Sequence, residues 1–177
     1  MTTSTNPGCS TLLESCFESP TGGMYVLSHD DSLCFLGFES PASAWGGVWF
    51  QRHFGTRKVL PAGNEHEQVH EQLERYFTGK LKKFRIKTQL FGTDFQLQVW
   101  TALRTIPYGI TTTYSSIAEL IGNPRASRAV GQAIGRNPLA VVIPCHRVIG
   151  EDASLVGYSG GIDRKKLLLQ IEGVLLV

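Results

Sequence analysis

The 177-residue sequence lacks the features of secreted and membrane proteins. No apolar run approaches the roughly 20 residues of a membrane span, and residues 1–10 have neither the basic region nor the apolar core of a signal peptide. There are only four cysteines, none of them in CxxC spacing, which argues against a disulfide framework and a zinc knuckle. We therefore expect a cytoplasmic protein with reduced thiols, no metal site, no membrane contact and a flexible tail over residues 1–10.

Charge is also scarce, and it is unevenly distributed. Charged residues make up 18% of the chain and the net charge is +2, while 42% of residues are hydrophobic, as in a globular protein. No acidic residue lies between Glu119 and Glu151, a segment that carries four arginines: Arg125, Arg128, Arg136 and Arg147. This distribution is typical of a surface that faces phosphates, although a solvated protein face would have the same pattern.

The cysteine with an unusual context is Cys145. It follows an apolar run and Pro144, and two basic residues, His146 and Arg147, come directly after it. Positive neighbours stabilise the thiolate, which is the nucleophilic form of cysteine. We expect residues 141–143 to form a strand that ends in a bend at the proline. A buried structural cysteine is the alternative, and His146 can act as a base only if the chain turns here or a water bridges the two side chains.

The sequence of the N-terminal half predicts several strands and one helix. Residues 23–27 and 33–38 have the composition of two strands joined by a polar turn, which indicates a hairpin. Residues 45–50 fit either a strand or a short helix. Apolar residues recur at helical spacing over residues 64–77. Residues 84–88 alternate with period two and predict a strand with one wet face.

Two helix starts carry capping signals. Asn64 has Glu67 three residues later, and Thr93 has Gln96 at the same spacing, so both pairs predict a reciprocal capping box. Behind the second start, a stripe at helical spacing predicts a buried helix face: Phe95, Val99, Leu103 and Ile106. We place a domain boundary within residues 87–92, which divides the chain into residues 1–91 and 92–177.

Two short helices precede the cysteine. Residues 113–120 and a segment from 125 or 126 to 134 predict helices around a turn that contains glycine and proline, as in a helix-turn-helix. The expected inward residues are Ile117 and Leu120 in the first helix and Val130, Ala133 and Ile134 in the second. The outer face of the second helix is composed of small residues, which permit close approach to DNA without reading bases: Ala126, Ser127, Ala129 and Gly131.

These motifs resemble the O6-alkylguanine-DNA alkyltransferases, which repair DNA by moving an alkyl group to their own cysteine. The similarity extends over about residues 91–173, in the family's order. It is carried by Pro144-Cys145-His146-Arg147-Val148, Tyr114-Ser115-Ser116-Ile117-Ala118, Gly122-Asn123-Pro124-Arg125-Ala126, Arg128-Ala129-Val130-Gly131, Arg136-Asn137-Pro138, Tyr158-Ser159-Gly160-Gly161 and Glu172-Gly173. The resemblance implies an α/β (α+β) fold, with a small mixed-sheet domain followed by a mainly helical domain that carries the helix-turn-helix and an active-site loop.

The resemblance also implies roles for individual residues. Cys145 is the nucleophile, His146 takes its proton through a water, and Glu172, which follows a predicted amphipathic helix over residues 163–171, orients that histidine. Asn137 ties the helix-turn-helix to the active-site loop, although an asparagine at a helix C-terminus can also be only a cap. The reaction consumes one protein molecule per lesion and needs no cofactor.

The implied partner is double-stranded DNA that contains O6-alkylguanine, bound by a monomer. In the family the second helix lies in the minor groove, with Ala126, Ala129 and Gly131 on its DNA side. An arginine at the position of Arg128 enters the base stack, and Tyr114 assists rotation of the nucleotide, because a buried thiol can reach only a base that has left the duplex. The implied substrate pocket comprises Tyr114, Ile134, Val148, Tyr158 and Ser159.

Three other functions fit parts of the sequence. A lesion-binding relative without activity would lack the cysteine, which is present here. A cysteine hydrolase with a Cys-His-Glu triad would turn over and ignore DNA, but the papain-type context of its cysteine is missing. A DNA-binding regulator would carry base-reading side chains on its second helix, and these are scarce.

Overall fold

The N-terminal half of the protein is built on a mixed four-stranded sheet. The computed structural model describes residues 11–39 and 44–174, so the expected flexible tail over residues 1–10 lies outside the described residues. The elements of this half are β1 (Leu12–Ser19), β2 (Gly22–His29), β3 (Ser32–Gly37), α1 (Ala44–Phe54), β4 (Val59–Pro61) and α2 (Glu67–Phe77). The strand order is β3-β2-β1-β4; β1 pairs parallel to β4, and the other pairs are antiparallel.

The C-terminal half is mainly helical. Its elements are α3 (Asp94–Leu103), β5 (Thr112–Thr113), α4 (Tyr114–Leu120), α5 (Ser127–Gly135), β6 (Val148–Ile149) and α6 (Ile162–Ile171), with one 3₁₀ turn over Cys145–Arg147. The helices α4 and α5 contact each other and α3, which gives the expected helix-turn-helix. A small mixed sheet followed by helices confirms the predicted α+β fold class.

The predicted hairpin is formed by β2 and β3. Its turn places Asp30 at a positive φ of 51°, a conformation that aspartate tolerates better than most residues. The strand β3 is buried along almost its whole length, whereas side chains of β1 alternate between half-buried and exposed positions. The sheet is therefore more deeply buried at β2 and β3 than at its opposite edge, which β4 forms.

One hydrophobic core contains residues of both halves of the chain. Buried side chains of the sheet, such as Met24 and Leu36, belong to the same cluster as Trp100 of α3 and Ile143 beside the cysteine. Backbone bonds reinforce this packing, because Leu36 donates to the carbonyl of Pro138 and accepts from the amide of Ala140, both at 2.8 Å. The chain between α5 and Cys145 is thus attached to the edge of the N-terminal sheet.

Residues 84–88 do not form the predicted strand. The backbone of Arg85 instead pairs with a side chain, since its amide donates to Gln72 Oε1 at 2.6 Å and its carbonyl accepts from Gln72 Nε2 at 3.1 Å. At the end of this segment, Thr88 and Leu33 form an isolated bridge. Alternation of polar and apolar residues shows which side chains face solvent and which face the protein. It does not show whether a neighbouring strand or a side chain such as Gln72 forms the hydrogen bonds of the backbone.

The predicted cap at Asn64 is also wrong. Residues 64–66 form a 3₁₀ turn, α2 begins at Glu67, and neither start has a side-chain cap. His66, which precedes α2, is buried, and both of its ring nitrogens have hydrogen-bond partners: the hydroxyls of Ser15 at 2.7 Å and Ser28 at 2.9 Å. Residues 45–50, for which a strand or a helix was expected, lie within α1.

Two further expectations near the site fail. Leu120, expected to point inward, has 61% of its surface exposed, because the buried stripe of α4 is centred on Ile117 and Ala118. Residues 141–143 are not a strand. Val141 has a φ of 71°, and the amide of Ile143 turns back to the carbonyl of Leu139 at 2.8 Å.

The capping box at the start of α3 is confirmed and can be tested. The Thr93 hydroxyl accepts from the amide of Gln96, and the Gln96 side chain accepts from the amide of Thr93. We expect Thr93→Ala to lower the free energy of unfolding by about 1 kcal/mol, because one amide of the first turn loses its partner. Urea denaturation would measure the change. Thr93→Ser keeps the hydroxyl and is the control; an equal loss in both variants would contradict a capping role.

Candidate active site

Cys145 begins the 3₁₀ turn and is almost completely buried, with 5% of its surface exposed. Asn137, which follows α5, donates from Nδ2 to the cysteine Sγ at 3.1 Å and to the carbonyl of Ile143 at 2.8 Å. Its Oδ1 accepts from the amide of Leu139 at 3.0 Å. One amide side chain thus joins the end of the helix-turn-helix to the loop and to the sulfur.

Glu172 follows α6 and is the hub of the site, with a completely buried carboxylate. Oε1 accepts from Tyr76 Oη at 2.7 Å, from His146 Nε2 at 2.8 Å and from Arg147 Nη2 at 2.9 Å. Oε2 accepts from Arg147 Nε at 2.8 Å and from the amide of Gly109 at 3.1 Å. An ionised carboxylate only accepts hydrogen bonds, so these donors match the charged form of Glu172.

The protonation states follow from this arrangement. Burial opposes ionisation of Glu172, but the hydrogen bonds and positive charges of His146 and Arg147 outweigh burial and lower its pKa to about 2. Burial lowers the pKa of His146, and the positive charges of Arg147 and Lys165 act in the same direction, against the influence of Glu172. His146 is therefore neutral near pH 7: its protonated Nε2 donates to the Glu172 carboxylate, and Nδ1 is available to accept a proton.

The cation beside the sulfur is not the one that the sequence indicated. Arg147 is buried, bonds Glu172 and donates to the carbonyl of Ile106 at 2.6 Å, so it belongs neither to a phosphate-facing surface nor to the thiol. Burial raises the pKa of Cys145, and the Asn137 hydrogen bond and the charge of Lys165 oppose that rise. The resting thiol is thus protonated and needs a base before it reacts.

A cavity of about 200 Å³ opens beside Cys145. Phe35 and Phe38 of the N-terminal half form one side, and Tyr158, Ser159 and Gly160 form another. Arg164 also lines the cavity and joins the two halves of the chain, since its Nε donates to the carbonyl of Thr21 and its Nη1 to that of Gly160, both at 2.8 Å. The cavity is large enough for a small alkyl group on a base edge, and both halves of the chain shape it.

Not every predicted pocket residue lines this cavity. Tyr158 and Ser159 do, whereas Ile134 and Val148 are buried in the core. The carbonyl of Val148 accepts from Lys165 Nζ at 2.6 Å. Tyr114 stands at the start of α4, and its hydroxyl donates to the carbonyl of Val156 at 3.1 Å.

The outer face of α5 has the character that the sequence predicts. Arg128 and Ala129 are exposed, while Ala126 and Gly131 are half-buried. Tyr114 lies against this helix, because a Cβ added to Gly131 would be 3.6 Å from its ring. Gly157, across from Tyr114, has a positive φ, and a Cβ there would come within 2.8 Å of the tyrosine hydroxyl, so another residue would be strained and would displace Tyr114.

Sequence reasoning missed two residues of the site. Lys165 is completely buried and donates to the carbonyls of Val148 and Val156, and burial lowers its pKa to about 8. Tyr76, also completely buried, reaches Glu172 from α2. The sequence contains one signal for both residues, a polar side chain at a position of the helix that faces the core. Lys165 lies three and four residues before the buried Leu168 and Leu169, and Tyr76 lies on the apolar face of α2.

The described cysteines form no disulfide bonds with one another. Cys16, Cys34 and Cys145 are free, and Cys9 lies outside the described residues. Within residues 11–39 and 44–174, no group of three or more His, Cys, Asp or Glu side chains is placed to hold a metal ion. In the same ranges, no helix has the length and apolarity needed to cross a membrane.

Two family models together match most of the chain. Residues 12–90 match the ribonuclease-like domain of 6-O-methylguanine DNA methyltransferase. Residues 94–174 match the DNA binding domain of the same family. Three residues separate the two matches, and the second match begins where α3 begins.

Individual relatives agree with the family models. The methylated-DNA–protein-cysteine methyltransferase of Methanosarcina barkeri is 59% identical over 162 residues, 88% of this chain and 93% of the relative. That of Methanosarcina acetivorans is 44% identical over 163 residues, 89% of this chain and 96% of the relative. A crystal structure of Mycobacterium tuberculosis OGT in complex with DNA is 41% identical, covers 92% of both chains and has a TM-score of 0.78. The chain therefore belongs to the methylated-DNA–protein-cysteine methyltransferase family, as the residues around Cys145 predict.

Proposed function

We propose that the protein repairs DNA by direct reversal, transferring the alkyl group of O6-alkylguanine to Cys145. The observation that carries this proposal is the thiol itself: Cys145 is buried, held by Asn137, and precedes His146, which is paired with an ionised carboxylate. A cavity of alkyl size lies beside the sulfur. These features fit an in-line attack on an alkyl carbon in a site that excludes bulk water.

In the proposed step, the bond between sulfur and the alkyl carbon forms while the bond between that carbon and guanine O6 breaks. The thiol proton leaves for His146, through a water, and Glu172 stabilises the resulting imidazolium. The departing guanine accepts one proton from solvent, and His146 returns one proton to solvent. In the net reaction the thiol proton therefore replaces the alkyl group on guanine, and atoms and charge balance. The charge of Lys165 favours the developing thiolate.

The product is a thioether on Cys145, and no described thiol lies beside it to resolve it. A thioether is not reducible, so each molecule acts once and needs no cofactor. We propose a monomer that acts in the cytoplasm, a setting that suits the free thiols of Cys16, Cys34 and Cys145.

Double-stranded DNA is the proposed partner, with the lesion rotated out of the helix. Small residues on α5 suit close approach to the minor groove, and exposed Arg128 can replace the rotated nucleotide in the stack. Tyr114, between α5 and the loop that bears Tyr158, is placed to assist rotation. The M. tuberculosis relative that was solved in complex with DNA supports DNA as the partner.

The nucleophile can be tested by intact and peptide mass spectrometry. After incubation with a duplex that contains O6-methylguanine, we expect one methyl group on the Cys145 peptide and none in Cys145→Ser, whose hydroxyl is a far weaker nucleophile. The yield should equal the amount of protein. Binding without mass gain would instead indicate a lesion-binding protein, and clearance of excess lesion by a small amount of protein would contradict single turnover.

The role of Arg128 predicts a dependence on base pairing. We expect Arg128→Ala to slow transfer from duplex DNA by about tenfold or more, because unstacking a base costs a few kcal/mol and the arginine no longer fills the gap. Transfer from a single strand with the same lesion should change much less. Arg125→Ala, on the exposed turn before α5, is the matched control. Equal losses on both substrates would mean that Arg128 only contacts phosphates.

The role of His146 predicts a pH dependence. Because burial lowers the pKa of His146 in the folded protein, we expect the transfer rate to fall on acidification only below about pH 6.5, the ordinary value for histidine. Single-turnover rates from pH 5 to pH 9 would measure this, with circular dichroism at each pH as the control for unfolding. His146→Asn should be slower and should lose the acid limb; retention of the limb would assign it to another group.

A further inference from the structure

Tyr76 reaches the reactive centre from the opposite half of the chain. It lies in the last turn of α2, is completely buried, and is 96 residues from Glu172 in sequence. Its hydroxyl oxygen is 2.7 Å from Glu172 Oε1 and 3.4 Å from His146 Nε2. The first distance is that of a strong hydrogen bond and the second that of a weak one, so Tyr76 acts on the histidine mainly through the carboxylate.

The ring and the hydroxyl of Tyr76 have separable contributions. The ring packs against Phe77, Phe84 and Tyr108, with centroid distances of 5.3, 5.4 and 6.2 Å. A phenylalanine would make the same contacts, so packing alone does not require the hydroxyl. The hydroxyl faces the carboxylate that holds the histidine.

Tyr76 remains a donor at every working pH. Burial raises its pKa above the ordinary value, and the charge and hydrogen bond of Glu172 raise it further. A carboxylate accepts only, so the proton of this bond lies on the tyrosine. The bond therefore withdraws electron density from Oε1, the same oxygen that accepts from His146.

We infer that Tyr76 is a positioning residue for alkyl transfer: its hydroxyl fixes the Glu172 carboxylate and limits how strongly that carboxylate attracts a proton onto His146. The inference rests on the proposed role of His146 as the base. Without the hydroxyl, Oε1 is more basic, the imidazolium is more stable, and His146 is protonated at a higher pH. The other ionisable or charged groups that face the pair are Cys145, Arg147, Lys165 and Tyr108.

The chain offers a matched control for the loss of one tyrosine hydroxyl. Tyr108 lies beside Tyr76, and its hydroxyl donates to the carbonyl of Ile171 at 2.8 Å rather than to the carboxylate. Both Tyr76→Phe and Tyr108→Phe remove one hydrogen bond near the same site. Only the first removes a donor from Glu172.

The test is the pH profile of single-turnover transfer from O6-methylguanine duplex, measured for the wild type and both variants. We expect Tyr76→Phe to move the acid limb to higher pH; a shift of one unit lowers the rate about tenfold on the acid side and leaves the plateau above pH 8 much less changed. Tyr108→Phe should keep the wild-type profile. Superimposable profiles for all three proteins, with only a lower melting temperature in the variants, would overturn the inference.

A second variant keeps the test decisive if Tyr76→Phe does not fold. Incorporation of 3-fluorotyrosine at position 76 retains the bond and makes the hydroxyl a stronger donor, so the acid limb should move to lower pH. An unchanged or raised limb would count against the inference. Failure of the wild type to accept a methyl group would contradict the proposed function itself, whereas wild-type transfer with an unmoved limb in the position-76 variants would contradict only the role of Tyr76.

Discussion

The arrangement of the site depends on one buried carboxylate that must remain ionised. Glu172 accepts hydrogen bonds from Tyr76, His146, Arg147 and the amide of Gly109. The hydrogen bonds and charges of His146 and Arg147 lower its pKa to about 2 despite burial. A buried charge with its partners in place is tolerated, but one that loses a partner destabilises the fold by several kcal/mol. The same bonds that make the charge acceptable hold the histidine in one orientation and one tautomer.

The carboxylate also joins distant parts of the chain. Its donors come from α2, from the turn after α3 and from the 3₁₀ turn of the cysteine, and the acceptor itself follows α6. The bonds of Leu36 to Pro138 and Ala140 attach the active-site loop to the sheet in the same manner. The N-terminal half therefore takes part in the geometry of the reactive centre, although the sequence motifs of the chemistry all lie in the other half.

Local patterns in the sequence predicted the local features of the structure. The capping box of Thr93, the hairpin of β2 and β3, the paired helices α4 and α5 and the context of Cys145 are encoded within a few residues of one another. What depends on distant contacts was missed or misassigned. From the sequence alone, Arg147 resembles a partner of the neighbouring thiol, but in the structure it pairs with Glu172, 25 residues away. Lys165 likewise resembles a surface lysine, but in the structure it is buried and donates to the carbonyl of Val148.

The raised pKa of Cys145 has a consequence for a protein with the proposed single turnover. Oxidants and stray electrophiles react with exposed thiolates far faster than with buried, protonated thiols. A nucleophile that was already ionised at rest would be consumed by such encounters before it met its lesion. The buried, protonated thiol is less reactive at rest, and for the same reason it is less readily oxidised or alkylated by other compounds. The sulfur therefore remains intact until a substrate places an alkyl carbon in line with it.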